Sequence, residues 1–302
     1  MMRRVGGRLF VGALLVVAFL AVGVGAVGQE ATDRREAPAD DRQDAGSEPD
    51  VPYVATPMPV VEAMLELARV DRRDSLFDLG SGDGRIVVTA AERYGTPGIG
   101  VEIDSGLVAR SRENARDAGV EDLVSFVHRD LFEVDMSPAS VVTLYLLSTV
   151  NRRLRPKLLE ELRPGARVVS HAFGMGEWPY DTMIRVPPEG ERGAYVYHWV
   201  IPARVAGVWR FTTSGGDTFT VEVAQLYQRL RMRVVEGPAG AVVRDVRLRG
   251  TGLEFVLSDA GDSRERQRFV GSVFGAEMKG AFDGGAWTAT RIEGARQPID
   301  RW

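Results

Sequence analysis

A doubly wound α/β domain followed by a small all-β domain is the fold class the sequence predicts, and three observations carry it. Apolar, strand-like runs alternate with helical stretches from Val51 to about Pro202. A glycine-rich turn, LFDLGSGDGR from Leu76 to Arg85, joins the first of those strands to its helix. From Ala203 onward the helical period gives way to short strands separated by turn residues. The expected organisation is an address segment over 1–28, a tether over 29–50, the α/β domain over 51–202 and the β domain over 203–302.

Arg3, Arg4 and Arg8 precede an apolar run from Leu9 to Val27, with Ala26, Val27 and Gly28 offering small residues for cleavage. That pattern reads as a signal peptide or an uncleaved membrane anchor. Either would place the rest of the chain in the bacterial cell envelope, exported or held at the membrane, because the leading arginines stay inside. Gln29 to Asp50 is rich in Ala, Asp, Glu, Arg and Pro, so it buries too little to offset the entropy of ordering.

Thr56 and Pro57 suit the start of a helix whose apolar face runs through Val60, Val61, Met64, Leu65, Leu67 and Ala68. After the strand and turn at Leu76–Arg85 a helix follows over Ile86–Tyr94, then a second strand over Gly98–Asp104. A helix over Leu107–Ala118 ends at Gly119, and Val124–Asp130 is the third strand. Ala139–Leu147 is a continuous apolar run of the kind a doubly covered sheet produces. A helix over Arg153–Leu162 and a strand over Gly165–Phe173 come next, then two β runs, Thr182–Val186 and Ala194–Ile201, with no helix between them.

The turn is the chemical centre. Gly80, Gly82 and Gly84 alternate after Asp78, and without Cβ atoms they admit unusual φ angles and a ligand lying against the main chain near a helix N-terminus. The D-x-G-x-G-x-G spacing departs from the G-x-G-x-x-G of dinucleotide folds, which disfavours a nicotinamide-dependent dehydrogenase. Glu102 ends the second strand close to the ~20-residue offset at which a carboxylate grips ribose hydroxyls. Asp130 belongs at the carboxyl edge of the third strand, with Leu131 and Phe132 as apolar contacts for a base.

Composition narrows the chemistry further. A net charge of −4 with arginines interleaved among acids predicts no nucleic-acid surface. Only Lys157 and Lys279 are lysines among 38 basic residues, so the arginine excess reads as compositional bias. The chain has no cysteine, and His128, His171 and His198 are far apart in sequence, so no metal site is expected.

Together VPYVATP, DLGSGDGRIV, GVEID, SRENA, RDLF, RPKLLEELRPGARVVS and FGMGEWPYD resemble the seven-stranded lysine methyltransferases that modify adenine nucleotide translocase and an ATP synthase subunit, relatives of the Dot1-type enzymes. The resemblance covers Val51 to about Pro202. It implies a Rossmann-like seven-stranded sheet closed by an antiparallel pair, and S-adenosylmethionine as cofactor. It also implies cofactor contacts from Asp78, Gly80, Ser81, Gly82, Gly84, Glu102, Asp130 and Leu131, with Tyr53 and Thr56 in the segment before the turn.

A lysine acceptor must arrive uncharged, so a dry, partly aromatic slot is required. Tyr145 and Trp178 are the slot candidates, with Phe173 and Tyr53 beside them, and His171 is a candidate base. Thr143 to Ser148 lacks an Asn-Pro-Pro-Tyr-type signature for planar amide or base amines. The expected partner is a protein with an accessible lysine. Alternatives are an envelope lipid or small molecule as acceptor, and a non-catalytic envelope scaffold.

Eight strands are expected in the last hundred residues, with turns such as Glu236-Gly237-Pro238, Ala260-Gly261-Asp262 and Asp283-Gly284-Gly285. They predict a small barrel or sandwich.

Overall fold

The computed structural model describes residues 53–187, 193–259 and 266–294. The address segment, the tether and the Ala260-Gly261-Asp262 turn lie outside the described residues.

The chain order begins α1 (Met58–Leu67), β1 (Leu76–Leu79), α2 (Arg85–Tyr94), β2 (Gly98–Glu102), α3 (Ser105–Asp117), β3 (Val124–His128) and β4 (Val141–Leu144). It continues with α4 (Ser148–Glu161), β5 (Arg167–His171), β6 (Thr182–Val186) and β7 (Ala194–Val200). These seven strands form one sheet in the order β3-β2-β1-β4-β5-β7-β6. The first five are parallel, and β7 runs antiparallel to both β5 and β6. Helices on both faces explain why β1 and β4 are buried on every residue.

Two local expectations change. Thr56 does not cap α1; Pro57 holds the N-cap position without a side-chain bond, and the Thr56 hydroxyl faces the His171 ring instead. Helix α4 starts at Ser148 rather than Arg153, because buried Val150 and Leu154 extend its apolar stripe towards the N-terminus. Pro156 therefore sits inside the helix, where it cannot donate to the Arg152 carbonyl.

The remaining strands are β8 (Gly207–Thr213), β9 (Thr218–Leu226), β10 (Arg229–Glu236), β11 (Ala241–Arg249), β12 (Gly252–Asp259), β13 (Arg266–Phe274), β14 (Glu277–Phe282) and β15 (Gly285–Glu293). They form a second, wholly antiparallel sheet in the order β10-β9-β8-β15-β14-β13-β12-β11. Its end strands β10 and β11 come side by side without forming a hydrogen-bonded ladder, so the sheet is a nearly closed barrel rather than a sandwich. Stacked and edge-on rings of Phe211, Phe219, Phe255, Phe269 and Trp287 fill it. A filled aromatic core replaces the ligand cavity that such a barrel could otherwise hold.

Specific polar contacts tie the barrel to the α/β sheet. The Gln225 side chain accepts from Val205 N and donates to the carbonyls of Ala203 and Tyr227. Gln228 accepts from the Trp178 indole at 3.1 Å and donates to Pro179 O at 2.7 Å.

Candidate functional site

A cavity of about 370 Å³ opens at the carboxyl ends of β1, β2 and β4, where strand order reverses about β1. Small-molecule sites of roughly 300–1,000 Å³ favour that switch point. Of the residues singled out from the sequence, Tyr53, Thr56, Asp78, Gly80, Ser81, Glu102, Asp130, Leu131 and Tyr145 line it.

The three turn glycines are left-handed, with φ of +76° at Gly80, +55° at Gly82 and +78° at Gly84. Their surroundings differ from the expectation of a ligand against all three. A Cβ on Gly82 would lie 2.3 Å from the Tyr53 ring, and one on Gly84 would lie 2.6 Å from Phe126 and 2.7 Å from Ser111. Only Gly80 of the three faces the cavity. Gly82 is needed for its backbone conformation and for the close approach of Tyr53 on the cavity wall, and Gly84 for its conformation and close packing on Phe126 and Ser111.

Glu102 ends β2 almost wholly buried. Its carboxylate accepts from Gly82 N at 2.8 Å through one oxygen, and from Ile103 N at 2.8 Å and Asp104 N at 3.0 Å through the other. Three of its roughly four acceptor positions are thus occupied by the backbone, leaving one for a ligand donor. Glu102 both shapes the turn and faces the cavity.

Asp78 lies one strand away, in register with Gly100 and Thr143. Burial pushes its carboxyl up to about 7, against the Thr143 hydroxyl that donates to it at 2.7 Å, and the neighbouring Glu102 and Asp83 charges add to the rise.

Asp83 and Arg85 form a clamp absent from the sequence-based site. Arg85 meets the Asp83 carboxylate at 2.6 Å and donates to the Thr56 carbonyl at 3.0 Å, tying the segment before α1 to the turn. Burial raises the Asp83 carboxyl, but its bonds to Arg85 outweigh that and hold it below its ordinary value. Burial, then the Asp83 charge, raises the Tyr53 phenol. The acid and base two residues apart within GSGDGR were the available signal.

Asp130 sits at the opposite end of the cavity, its carboxylate accepting from Phe132 N at 2.9 Å. Leu131, Phe132, Ile103 and Leu107 supply apolar walls there, and the Arg153 guanidinium lies 3.9 Å from the Phe132 ring centroid.

On the cavity wall, Tyr145 stacks on His171 with centroids 3.9 Å apart and on Phe173 at 6.2 Å, two rings that do not themselves line the cavity. His171 Nδ1 is 3.4 Å from the Thr56 hydroxyl, and burial lowers the ring to about 4, so it is uncharged at neutral pH. Trp178 is a correction. It is 1% exposed, tilted against Trp199 and stacked on Tyr227 of the barrel, and does not line the cavity. The short isolated bridge between Met175 and Trp178 turns that indole into the shared core.

The cavity suits a ligand with an apolar ring at one end and hydroxyl donors for Glu102 in the middle, with Asp78 and the Arg85-paired Asp83 by the turn. Comparisons agree. The model of the ANTKMT methyltransferase domain matches residues 78–182. A protein-lysine N-methyltransferase of Saccharolobus islandicus is 46% identical over 154 residues, covering 51% of this chain and 95% of the relative. The adenine nucleotide translocase lysine N-methyltransferase of Mus musculus is 39% identical, with 42% of this chain matching 56% of that protein. A second Mus musculus lysine N-methyltransferase, named for an ATP synthase subunit, is 37% identical, with 43% of this chain matching 52% of that protein. The chain therefore spans about half the length of the two mouse relatives. A crystal structure described as an RNA methyltransferase from Salinibacter ruber with S-adenosyl-L-homocysteine is 56% identical, covers 50% of this chain and 96% of its own, and has a TM-score of 0.48.

This chain belongs to the ANTKMT-type family of S-adenosylmethionine-dependent methyltransferases. It is a methyltransferase, and S-adenosylmethionine is its cofactor.

The envelope location expected from the N-terminal arginines is corrected. The relatives named above are lysine methyltransferases whose names point to no bacterial envelope component, and among the described residues no helix is long and apolar enough to cross a membrane. The apolar run that suggested it lies outside the described residues.

Proposed function

We propose that the chain methylates the side-chain nitrogen of a lysine in a protein substrate. The observation that carries this reading is the aromatic wall of the cavity, where Tyr145 lines the space and is backed by stacking on His171 and Phe173, with no amide-gripping signature present. Such a wall suits an alkyl amine, whose methylene stem packs on rings and whose nitrogen must be stripped of water and proton before it attacks. Relatives named for protein lysine support the same acceptor.

In this reading Glu102 offers its remaining acceptor position to the ribose, and Asp130 with Leu131 frames the adenine. Asp78, Gly80 and Ser81 line the turn end of the cofactor, Gly82 and Gly84 shape the turn, and Tyr53 and Thr56 close it from the side. When bound, S-adenosylmethionine supplies the methyl group on a sulfonium centre. Tyr145 orients the lysine stem, while Phe173 and neutral His171 hold Tyr145 and keep water out. The His171 ring carries no charge at neutral pH to repel a cationic lysine as it enters. A division at about Pro202, with catalysis before it and a substrate-facing barrel after it, belongs to the same proposal.

The test is transfer of labelled methyl from S-adenosylmethionine to cell extract, with protein, RNA and organic phases counted separately and the protein hydrolysed to amino acids. Methyl-lysine in the protein fraction is the expected product. Label confined to RNA or to the organic phase would refute the lysine acceptor.

A further inference from the structure

Two surface features outside the cavity meet one another. On the β6–β7 hairpin Met183 pairs with Tyr197 and Arg185 with Tyr195, so these four side chains share one face. Tyr180 leans on Tyr197 at 5.5 Å and Tyr195 lies 6.5 Å from Tyr197. Tyr180 is 48% exposed, Tyr195 43% and Met183 39%, so an aromatic strip faces solvent at the edge of the sheet. One end of the strip leads to the cavity wall. Ala172 N donates to the Tyr195 carbonyl at 2.7 Å, and the next residue, Phe173, stacks on Tyr145.

The other end reaches the open seam of the barrel. Gln228, the residue before β10, donates to the carbonyl of Pro179, the residue before Tyr180. Arg249, at the end of β11, is near enough to Asp181 for its charge to act on that carboxyl. Between them, β10 and β11 carry six exposed arginines, Arg229, Arg231 and Arg233 on one strand and Arg244, Arg247 and Arg249 on the other, against two carboxylates, Glu236 and Asp245. Alternate residues of a strand recur about every 6.6 Å on one face, so Arg229, Arg231 and Arg233 form one row, and the bulge between Arg244 and Arg247 brings Arg244 onto the face of Arg247 and Arg249. Glu222 of β9 pairs with Arg233, and Glu254 of β12 lies opposite Arg247, so the six arginines outnumber the carboxylates around them and the seam keeps a net positive charge.

We propose that the tyrosine strip and the arginine seam together bind an acidic, extended segment of the substrate protein, next to the lysine held at the cavity. The inference rests on the protein-lysine reading above. Tyrosine and arginine are the side chains that anchor protein interfaces, offering rigid rings and bidentate donors for carboxylates. A segment of a few carboxylates needs only the seam. A long nucleic acid would have to cross the rest of a chain whose net charge is −4, where its phosphates are repelled.

The full chain is compared with the double variant Arg229→Ser/Arg247→Ser. Its KM and kcat for labelled-methyl transfer to extract protein are measured, with binding of fluorescent poly-L-glutamate followed by anisotropy at low and at physiological salt. Oligouridylate is the competitor. An unchanged affinity for S-adenosylhomocysteine and an unchanged circular dichroism spectrum show that the variant folds. The expected result is a KM raised about ten-fold at constant kcat, as for loss of a steering charge pair, with poly-L-glutamate binding weakened about ten-fold. An unchanged KM with unchanged poly-L-glutamate binding would overturn the proposal. Displacement by oligouridylate at lower concentration than by unlabelled poly-L-glutamate would overturn it in favour of a nucleic-acid surface. Should wild type label no protein, the lysine reading fails by itself, and the anisotropy still decides whether the seam prefers an acidic polypeptide.

Discussion

The two sheets of this molecule handle their interiors in opposite ways. The seven-stranded sheet is open, its strand order reverses about β1, and the crevice at that point holds Glu102, Asp78 and a left-handed glycine turn. The barrel closes nearly completely and gives its interior to interlocked rings, with Phe211, Phe255 and Phe269 fully buried. Chemistry therefore gathers at the edge of the first sheet, while the second can contribute only its rigidity and its outer face. An eight-stranded closed sheet can hold a small ligand inside, but here aromatic rings occupy that space.

Substitutions separate the two roles. The largest effect on stability is expected in the barrel. Trp287→Ala removes a fully buried indole and should cost about 3–5 kcal/mol in denaturant unfolding, with cofactor affinity of the folded protein unchanged. Loss of that affinity without loss of stability would break the division. In the cradle, Gly82→Ala meets the Tyr53 ring and a left-handed φ together, so it should weaken S-adenosylhomocysteine binding while leaving the barrel's unfolding transition in place. Glu102→Gln keeps the volume but swaps one accepting oxygen for an NH2 group, losing the negative charge and at least one of the backbone bonds that shape the turn, which predicts a calorimetric loss of at least about 1.5–3 kcal/mol in the same titration. Glu102→Ala is the less informative change, because it also releases the three backbone donors that shape the turn.

Asp78 provides a smaller, pH-dependent contrast. Its folded pKa of about 7 lies above the ordinary carboxyl value near 3.9, so between those values the native state holds a proton that the unfolded chain has released. Its contribution to stability is complete below about pH 4 and is lost as pH rises through about 7. Asp78→Asn should flatten that decline in thermal unfolding scans, whereas no barrel substitution should alter it.

Much of this was readable in the sequence because it is local. Strand, turn and helix follow one another within DLGSGDGR, the Glu102 position lies one βαβ unit further on, and the barrel strands are separated by their own turn residues. What escaped depended on distant partners. Trp178 looked like a slot residue because it follows β5, yet its direction is set by Gln228 and Tyr227, some fifty residues later. Gly82 and Gly84 looked like ligand contacts, yet Tyr53, Phe126 and Ser111 occupy the space that a side chain there would need. The Asp83–Arg85 clamp was visible as letters, but its purpose appears only with the Thr56 carbonyl, twenty-nine residues before Arg85.

Whether the β1–α2 turn and the end of β2 form the cofactor cradle of a methyltransferase is decided by calorimetric titration of S-adenosylhomocysteine into wild type and Gly82→Val. One saturable site is expected in wild type, and none in a variant whose barrel still unfolds cooperatively. Equal affinity in the two proteins would contradict that assignment and place the cofactor elsewhere.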